Sequence, residues 1–374
     1  MISKTEKSKM RTWVEIDRKA IRNNYKIFKK IIGKDCILMG VVKSNAYGHG
    51  LVPFSKELVK CGVGFLGVDS FEEALELRSA GIKTKILVFG YTSPACYSEA
   101  AEKNISLTIS GITALNALLK IKNSKKIKIH IKADTGLGRQ GFQMEEMRKV
   151  AELVSARDHL EVEGIYSHLA VGEDPKQKSY TKSQVEKLNK WDAKLKDMGC
   201  KPLKHICATA STMFFPEFHF DMVRIGIGMY GLWPSVETRR AVGRKYRLAS
   251  VLSWKAIVAE VKNMKKGAKI GYDLTEELDK DSMLAVVPVG YWHGYPRSLS
   301  SVGSVYLVKK YAKITGRVSM DMIVIRVLGG MAAAGEEVEI VGKKVPAEEV
   351  AVSAETINYE IVTRINPLIK RLVV

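Results

Sequence analysis

The sequence has no paired-cysteine pattern. Its five cysteines, Cys36, Cys61, Cys96, Cys200 and Cys207, are odd in number, scattered and never spaced as CxxC. That argues against a disulfide framework and against a thiolate zinc site. The seven histidines include no HExxH and no close pair, so no catalytic metal is expected. No stretch approaches the roughly 18 uninterrupted apolar residues of a membrane span, and the opening MISKTEKSKMRTW has no apolar core of a secretory leader. The expectation is a soluble, cytoplasmic protein without a membrane partner. A GxGxxG after the first apolar strand is also missing, which weakens a dinucleotide-binding reading.

Acidic residues are in deficit, 40 against 60 Lys and Arg, for a net charge of +20. Such a charge invites a nucleic-acid reading. Here the lysines are spread along the whole chain, in pairs such as Lys125-Lys126 and Lys265-Lys266, with neither a basic tail nor a patch interleaved with aromatics. A solvated lysine-rich surface accounts for them, and no nucleic-acid partner is expected.

What is present is a chain of 374 residues with 46% hydrophobic side chains, enough to bury a large core and long enough for two domains. Its first two thirds carry eight apolar runs bounded by turn residues: 37–43, 62–68, 85–91, 106–110, 127–134, 161–168, 203–209 and 222–231. Helical patterns lie between most of them. One starts at Ser70 with Glu73 three residues on, a capping box, and stops at Gly81. Another spans 176–198. Strands alternating with helices point to a (β/α)8 TIM-like barrel, with an open doubly wound sheet as the alternative.

Beyond about residue 245 the alternation stops and strand-like segments follow one another, almost without helix, until AEEVAVSAETIN. The fold class is therefore α/β. Residues 1–244 form the N-terminal barrel domain and 245–374 a C-terminal mainly β domain, with the boundary inside VETRRAVGRKYR (236–247).

The unusual residues sit at strand ends. Lys43 follows the buried-looking run CILMGVV, and Asp134, His168, Thr209 and the Arg224-Ile225-Gly226 stretch also lie at or near the C-terminal ends of different candidate strands. In a barrel those ends share one mouth, where active sites of this architecture lie. Lys43, in VVKSNAYGHG, is either a charge that ends a strand or an amine desolvated enough to attack an aldehyde.

Seven motifs bear on that choice: VVKSNAYGHG (41–50), KADTGLGRQG (132–141), YSHLA (166–170), RIGIGMYGLWPS (224–235), GYWHGYPR (290–297), GRVSMDM (316–322) and TINYEIVTRI (356–365). In that order they resemble the motifs of bacterial alanine racemases, from about Thr12 to Leu372. The resemblance implies a (β/α)8 barrel followed by a β domain. It also implies pyridoxal 5′-phosphate as cofactor and a homodimer whose active sites draw residues from both chains.

By that resemblance Lys43 bonds the cofactor and acts as one base. Tyr272, in KIGYDLT, acts as the other base, from the partner subunit. His168 and Arg224 continue a chain from the tyrosine, with Arg224 facing the pyridine nitrogen. A guanidinium cannot accept a proton, so it disfavours a pyridinium and favours proton transfer over decarboxylation. Tyr47, Thr209, Gly226, Ile227 and Tyr359 match the residues around the cofactor phosphate. Arg139 and the backbone of Met320 match the substrate-carboxylate site, and Lys132 a position that is carbamylated in some members. Tyr291, Arg297, Glu173 and Tyr359 match the entrance corridor.

Three positions depart from the family pattern. Asp273 stands where a glycine is usual, Cys207-Ala208-Thr209 replaces an Ala-Asn-Ser, and His293 replaces an acidic residue. The implied activity is interconversion of L- and D-alanine for peptidoglycan. A serine or broad-specificity racemase is the near alternative, and a non-catalytic cofactor carrier the more distant one.

Overall fold

The computed structural model describes residues 9–121, 125–327, 329 and 331–374, so residues 1–8 of the stretch read for a leader lie outside the described residues. The chain forms two compact units. One comprises Ile21–Ser44 and Ser55–Leu248, and the other the chain up to Ala20, Asn45–Phe54 and Ala249–Val374. A boundary drawn once along the chain cannot express this division, because two N-terminal stretches group with the C-terminal residues.

The first unit is the expected barrel. Strands β2 (Ile37–Val41), β3 (Phe65–Val68), β4 (Lys85–Val88), β5 (Ile105–Ile109), β6 (Ile127–Lys132), β7 (Leu160–Tyr166), β8 (Leu203–His205) and β9 (Met222–Ile225) close in sequence order. All pairings are parallel, and β9 pairs back onto β2. Each of the eight sequence runs overlaps one of these strands; β5 and β7 start one residue before the runs 106–110 and 161–168, and the other six strands lie within theirs.

Helices cover the outer face, so Leu66, Ile86, Leu107, Ile127, Ile129 and Ile131 are fully buried there. Met39, Phe65, Leu87 and Met222 form an apolar layer, with Ile37, Phe89 and Leu203 packed against it. On β5 to β7 the alternation is inverted relative to a surface sheet. IKIHIK sends isoleucines outward under helices, leaving His130 and Lys132 on the opposite, equally buried face.

Local signals hold in detail. The helix Phe71–Ser79 is capped by Ser70, whose hydroxyl accepts from the Glu73 N–H. The Glu73 carboxylate reaches the N–H of Asp69 at 2.9 Å, one residue beyond the usual position. The long helical pattern becomes Lys178–Asp197, preceded by a 3-10 turn at Pro175–Gln177. Within the basic stretch predicted to hold the boundary, Val236–Val242 is helical, capped by Ser235.

The second unit is built on a nine-stranded sheet. Its strands are β1 (Thr12–Ile16), β10 (Leu252–Ile257), β11 (Glu260–Met264), β14 (Ser282–Val287), β15 (Ser304–Leu307), β16 (Lys310–Ile314), β17 (Ile323–Val327), β18 (Glu337–Val341) and β19 (Arg371–Val373), in the order β11-β14-β17-β16-β15-β18-β10-β1-β19. A two-stranded ribbon pairs β12 (Lys269–Ile270) with β13 (Glu276–Glu277). β1 lies between β10, antiparallel, and β19, parallel. The N-terminal segment TWVEI is thus an inner strand of the mainly β unit. Among the described residues no helix is long and apolar enough to cross a membrane, and no group of three or more His, Cys, Asp or Glu could hold a metal ion.

Two glycines in left-handed backbone separate strain from clash. A Cβ on Gly48 (φ +78) would stand 1.9 Å from the Val362 carbonyl oxygen, whereas one on Gly81 (φ +81) meets nothing within 4 Å. Gly81→Ala carries only the conformational strain, about 1 kcal/mol. Gly48→Ala adds a backbone collision and is expected to lower the melting temperature several-fold more. Thermal denaturation of both variants checks this.

Candidate active site

Lys43 emerges from the end of β2 with its Nζ 3.1 Å from Asp69 Oδ1, an ion pair at the mouth of the barrel. Asp69 carries no motif of its own. The capping box beside it, which ties the Asp69 N–H to Glu73, is the signal that marks its position.

The residues after Lys43 take an uncommon path. Ser44, Asn45, Ala46 and Tyr47 all have φ between 50 and 56°, one turn of left-handed helix. Such a turn costs L-residues roughly 1–2 kcal/mol each. Within Asn45–Phe54 it is held by several bonds. The Gly50 N–H donates to Asn45 O at 2.9 Å, the Leu51 N–H to Asn45 Oδ1 at 2.8 Å, and the His49 N–H to Ala46 O at 2.9 Å. The guanidinium of Arg371 donates twice to the Gly48 carbonyl, from Nε and Nη2. Strain this heavily supported is characteristic of a working site.

At the barrel mouth the predicted residues converge. Arg224 is buried and donates from Nη1 to His205 Nδ1 at 2.8 Å, and from Nη2 to Ser167 O at 2.8 Å, Ile206 O at 3.0 Å and His168 Nδ1 at 3.3 Å. Burial pushes its pKa down to about 10, which leaves it cationic at neutrality. Burial, followed by the charges of Arg224, Arg139, Lys132 and Lys43, pushes His168 down to about 3. Five predicted residues therefore share one electrostatic neighbourhood, with four cations around a neutral imidazole.

A guanidinium only donates, so His168 Nδ1 accepts and the ring proton sits on Nε2. Lys132 Nζ donates to Gln140 Oε1 at 2.8 Å and lies 5.6 Å over the Tyr166 ring. Burial, then Arg139 and Arg224, lowers its pKa to about 8.

The residues predicted around the cofactor phosphate are set by two chain turns. Thr209 opens the helix Thr209–Phe214 and is buried, its hydroxyl accepting from the Gly228 N–H at 3.4 Å. Gly226 precedes the 3-10 turn Ile227–Tyr230, and the first N–H groups of a turn have no acceptor inside it. In the mainly β unit the Tyr47 and Tyr359 rings lie 6.0 Å apart.

Tyr272, Tyr291 and Met320 sit on loops of that same unit and are 67%, 43% and 55% exposed. The Tyr291 N–H bonds Ser319 O and the Trp292 N–H bonds Met320 O, both at 3.0 Å, fastening two of these loops together.

The departures have local accounts. Asp273 keeps a glycine-like backbone, φ 61° and ψ 10°, with its carboxylate 2.9 Å from Arg317 Nε. Cys207 is fully buried, donates to Phe218 O at 3.2 Å, and is pushed up to about 12 by burial, so it is an inert thiol. His293 meets N–H donors at both ring nitrogens, Gly290 N at Nδ1 (3.2 Å) and Arg11 Nη2 at Nε2 (3.4 Å). A carboxylate could accept from both; a neutral imidazole accepts from one.

A barrel carrying a lysine, an imidazole and a donor-only arginine at one mouth, with a separate mainly β unit, defines the architecture of a barrel-type pyridoxal-phosphate isomerase. Comparison with known proteins agrees. The family model of the alanine racemase N-terminal domain matches residues 16–234, and that of the C-terminal domain residues 251–373. The alanine racemase of Desulforamulus reducens is 38% identical over 96% of this chain and 98% of its own length. Alanine racemase 2 of Bacillus subtilis is 37% identical over 96% and 93%.

Among solved structures, alanine racemase from Bacillus anthracis with bound L-Ala-P superposes with a TM-score of 0.91 at 35% identity, covering 97% of this chain and 95% of that one. The enzyme from D-cycloserine-producing Streptomyces lavendulae gives 0.91 at 34%, covering 98% and 97%. The chain belongs to the alanine racemase family, and it is a pyridoxal 5′-phosphate-dependent amino-acid racemase. The donor set fits that cofactor: an amine at Lys43, a donor-only cation at Arg224, and the Thr209 hydroxyl beside turn N–H groups suited to a phosphate.

Histidines that the fold withdraws from water make a prediction about acid stability, His49, His130, His168 and His205 among them. Burial is the largest cause in each of His49, His130, His168 and His205, and it drives all four below the ordinary value, His49 and His168 to about 3. Unfolded, they bind protons below about pH 6.5; folded, each keeps its neutral form to a lower pH. Their stabilising contribution is whole above the unfolded-state value and is lost as pH falls towards 3. At about pH 5 unfolding should take up protons, about two of them from His49 and His168, which are held down to about 3 when folded. Calorimetry in two buffers of different ionisation enthalpy measures that uptake, and the melting temperature should fall between pH 7 and 5.

Proposed function

We propose that the enzyme interconverts L- and D-alanine by a two-base mechanism, in the cytoplasm, as a homodimer, and that its D-alanine supplies peptidoglycan. The observation that carries this reading is the buried guanidinium of Arg224 at the barrel mouth, hydrogen-bonded to His168 on one side and His205 on the other.

Racemisation removes a proton from Cα on one face and returns it on the other, which calls for a base on each face. Bound pyridoxal 5′-phosphate supplies the electron sink that makes Cα–H acidic. Lys43 would hold the cofactor through its side-chain amine, and that amine would also serve as the base on one face. The partner subunit's Tyr272 serves the other. A phenol ordinarily ionises near pH 10, so the tyrosine needs a donor that favours its anion. The proton that Arg224 forces onto His168 Nε2 is such a donor.

With the cofactor bound, Arg224 would present N–H groups to the pyridine nitrogen and, being unable to give up its charge, would keep that nitrogen unprotonated. Arg139, with the partner subunit's Met320 backbone, would bind the substrate carboxylate, and Lys132, once carbamylated as in some members of the family, would orient Arg139. Thr209, the Gly226 and Ile227 backbone, Tyr47 and Tyr359 take the phosphate, while Tyr291 lines the approach to the site.

The dimer has support in the mainly β unit itself. Tyr272, Leu274, Tyr291, Trp292, Met320 and Met322 are all large apolar residues left more than 40% exposed. Patches of this kind mark protein contacts.

Either pure enantiomer of alanine, incubated with the cofactor-loaded protein, should end as equal amounts of both by chiral chromatography. Initial rates on a panel of amino acids separate alanine from serine or broad specificity. Tyr272→Phe should retain cofactor absorbance and lose about 10²–10⁴-fold in turnover. In D2O that variant should exchange the Cα hydrogen of one enantiomer without inverting it. Unchanged turnover would contradict the two-base assignment.

A further inference from the structure

The Arg224 guanidinium is the upper end of a longer chain of hydrogen bonds inside the barrel. Below it, His205 Nε2 lies 3.0 Å from His130 Nδ1, and His130 Nε2 lies 3.3 Å from Glu163 Oε2. Glu163 also accepts from Ser106 Oγ at 2.5 Å and from Lys85 Nζ at 2.8 Å. His130 and His205 are wholly buried, and Ser106, Arg224 and Glu163 nearly so. The carboxylate belongs to the working end of neither the cofactor nor the substrate, and the reaction as described above does not use it.

The chemistry of the two ends fixes the direction of every bond between them. Arg224 can only donate, so His205 Nδ1 must accept, and the His205 proton is on Nε2. That N–H points at His130 Nδ1, which must accept in turn, placing the His130 proton on Nε2 and aiming it at Glu163. An ionised carboxylate only accepts. Donor at the top and acceptor at the bottom therefore agree on one orientation of both rings. If the lower end presented a donor instead, both rings would take the opposite tautomer, and His205 Nδ1–H would oppose an Arg224 N–H.

The backbone is shaped for this contact. Pairing of β6 with β7 slips between Ile129 and His130, matched to Val162 and Gly164, so Glu163 is the extra residue of a β-bulge. Bulges re-aim side chains; here Glu163 and its neighbour Gly164 both face the interior. A Cβ on Gly164 would lie 2.2 Å from His130 Nδ1, so the glycine leaves room for the ring. His205 is clamped flat against Tyr166, ring centroids 4.8 Å apart and 6° from parallel.

We propose that Glu163 is a positioning residue for Arg224: through His130 and His205 it sets both imidazoles as Nε2–H tautomers and so maintains the acceptor that aims the guanidinium at the cofactor ring. Burial raises the Glu163 carboxyl, but His130, Lys85 and Ser106 outweigh it and hold the group ionised. His130 is kept neutral mainly by burial. The inference rests on the proposed place of Arg224 at the pyridine nitrogen, but its first test does not need turnover.

Protein labelled with 15N at its seven histidines, loaded with cofactor, should show His130 and His205 both protonated at Nε2 alone, read from ring nitrogen shifts and two-bond couplings. Protonation at Nδ1 of either ring overturns the proposal. In Glu163→Gln and Glu163→Ala, at least one of the two rings should change tautomer or populate both. The cofactor absorbance should move, and kcat should fall about ten- to a hundredfold with KM for alanine little changed. Lost turnover with wild-type tautomers would make Glu163 merely structural and would overturn the proposal, as would wild-type kcat in both variants. Should neither variant fold, the tautomers of the unmodified protein still decide. Racemisation failing in the unmodified enzyme would instead count against the functional reading, with the tautomers unaffected.

Discussion

A buried guanidinium cannot accept a hydrogen bond and does not give up its charge, and the barrel interior is arranged around that constraint at Arg224. Its two nitrogen tips meet one acceptor on each of two histidines and two backbone carbonyls. Each histidine is thereby assigned a tautomer. His168 has its proton directed away from Arg224, available to an anion; His205 has its proton directed down the barrel. A carboxylate in place of Arg224 would only accept, and the constraint that sets both rings would be lost.

The same residue contributes to a second constraint, the crowding of positive charge. Lys43, Lys132, Arg139 and Arg224 all act on His168, and among the described residues the counter-charge paired directly with Lys43 is the half-exposed Asp69. Four cations at a barrel mouth form a receptor for anions. A phosphate-bearing aldehyde and a substrate carboxylate suit such a place, and a neutral imidazole among the cations is what the proposed tyrosine base requires.

Much of this was legible in the sequence, for reasons that can be named. The barrel strands are short apolar runs ending in a polar residue, so both their number and the location of Lys43, His168 and Arg224 follow from punctuation and period. The capping box at Ser70 was readable because it is local. TWVEI was not readable as part of the β sheet, because its partners, β10 and β19, lie more than two hundred residues away. Nor was the left-handed turn at Ser44–Tyr47, where four non-glycine residues adopt a conformation their side chains disfavour. The bulge at Glu163 reads as ordinary alternation in EVEGIY, and only the register with β6 turns the carboxylate inward. His130 and His205 were visible as residues; their facing each other depends on β6, β7 and β8 being neighbours in a closed sheet.

The central claim is that the amine of Lys43, at the end of β2, is the group bonded to the cofactor. Reduction of the pyridoxal-phosphate-loaded protein with tritiated borohydride, followed by proteolysis and peptide mapping, tests it most directly. The account predicts a single labelled pyridoxyl-lysine, in the peptide containing Lys43. Label on Lys132 or any other lysine, or no incorporation at all, would contradict it.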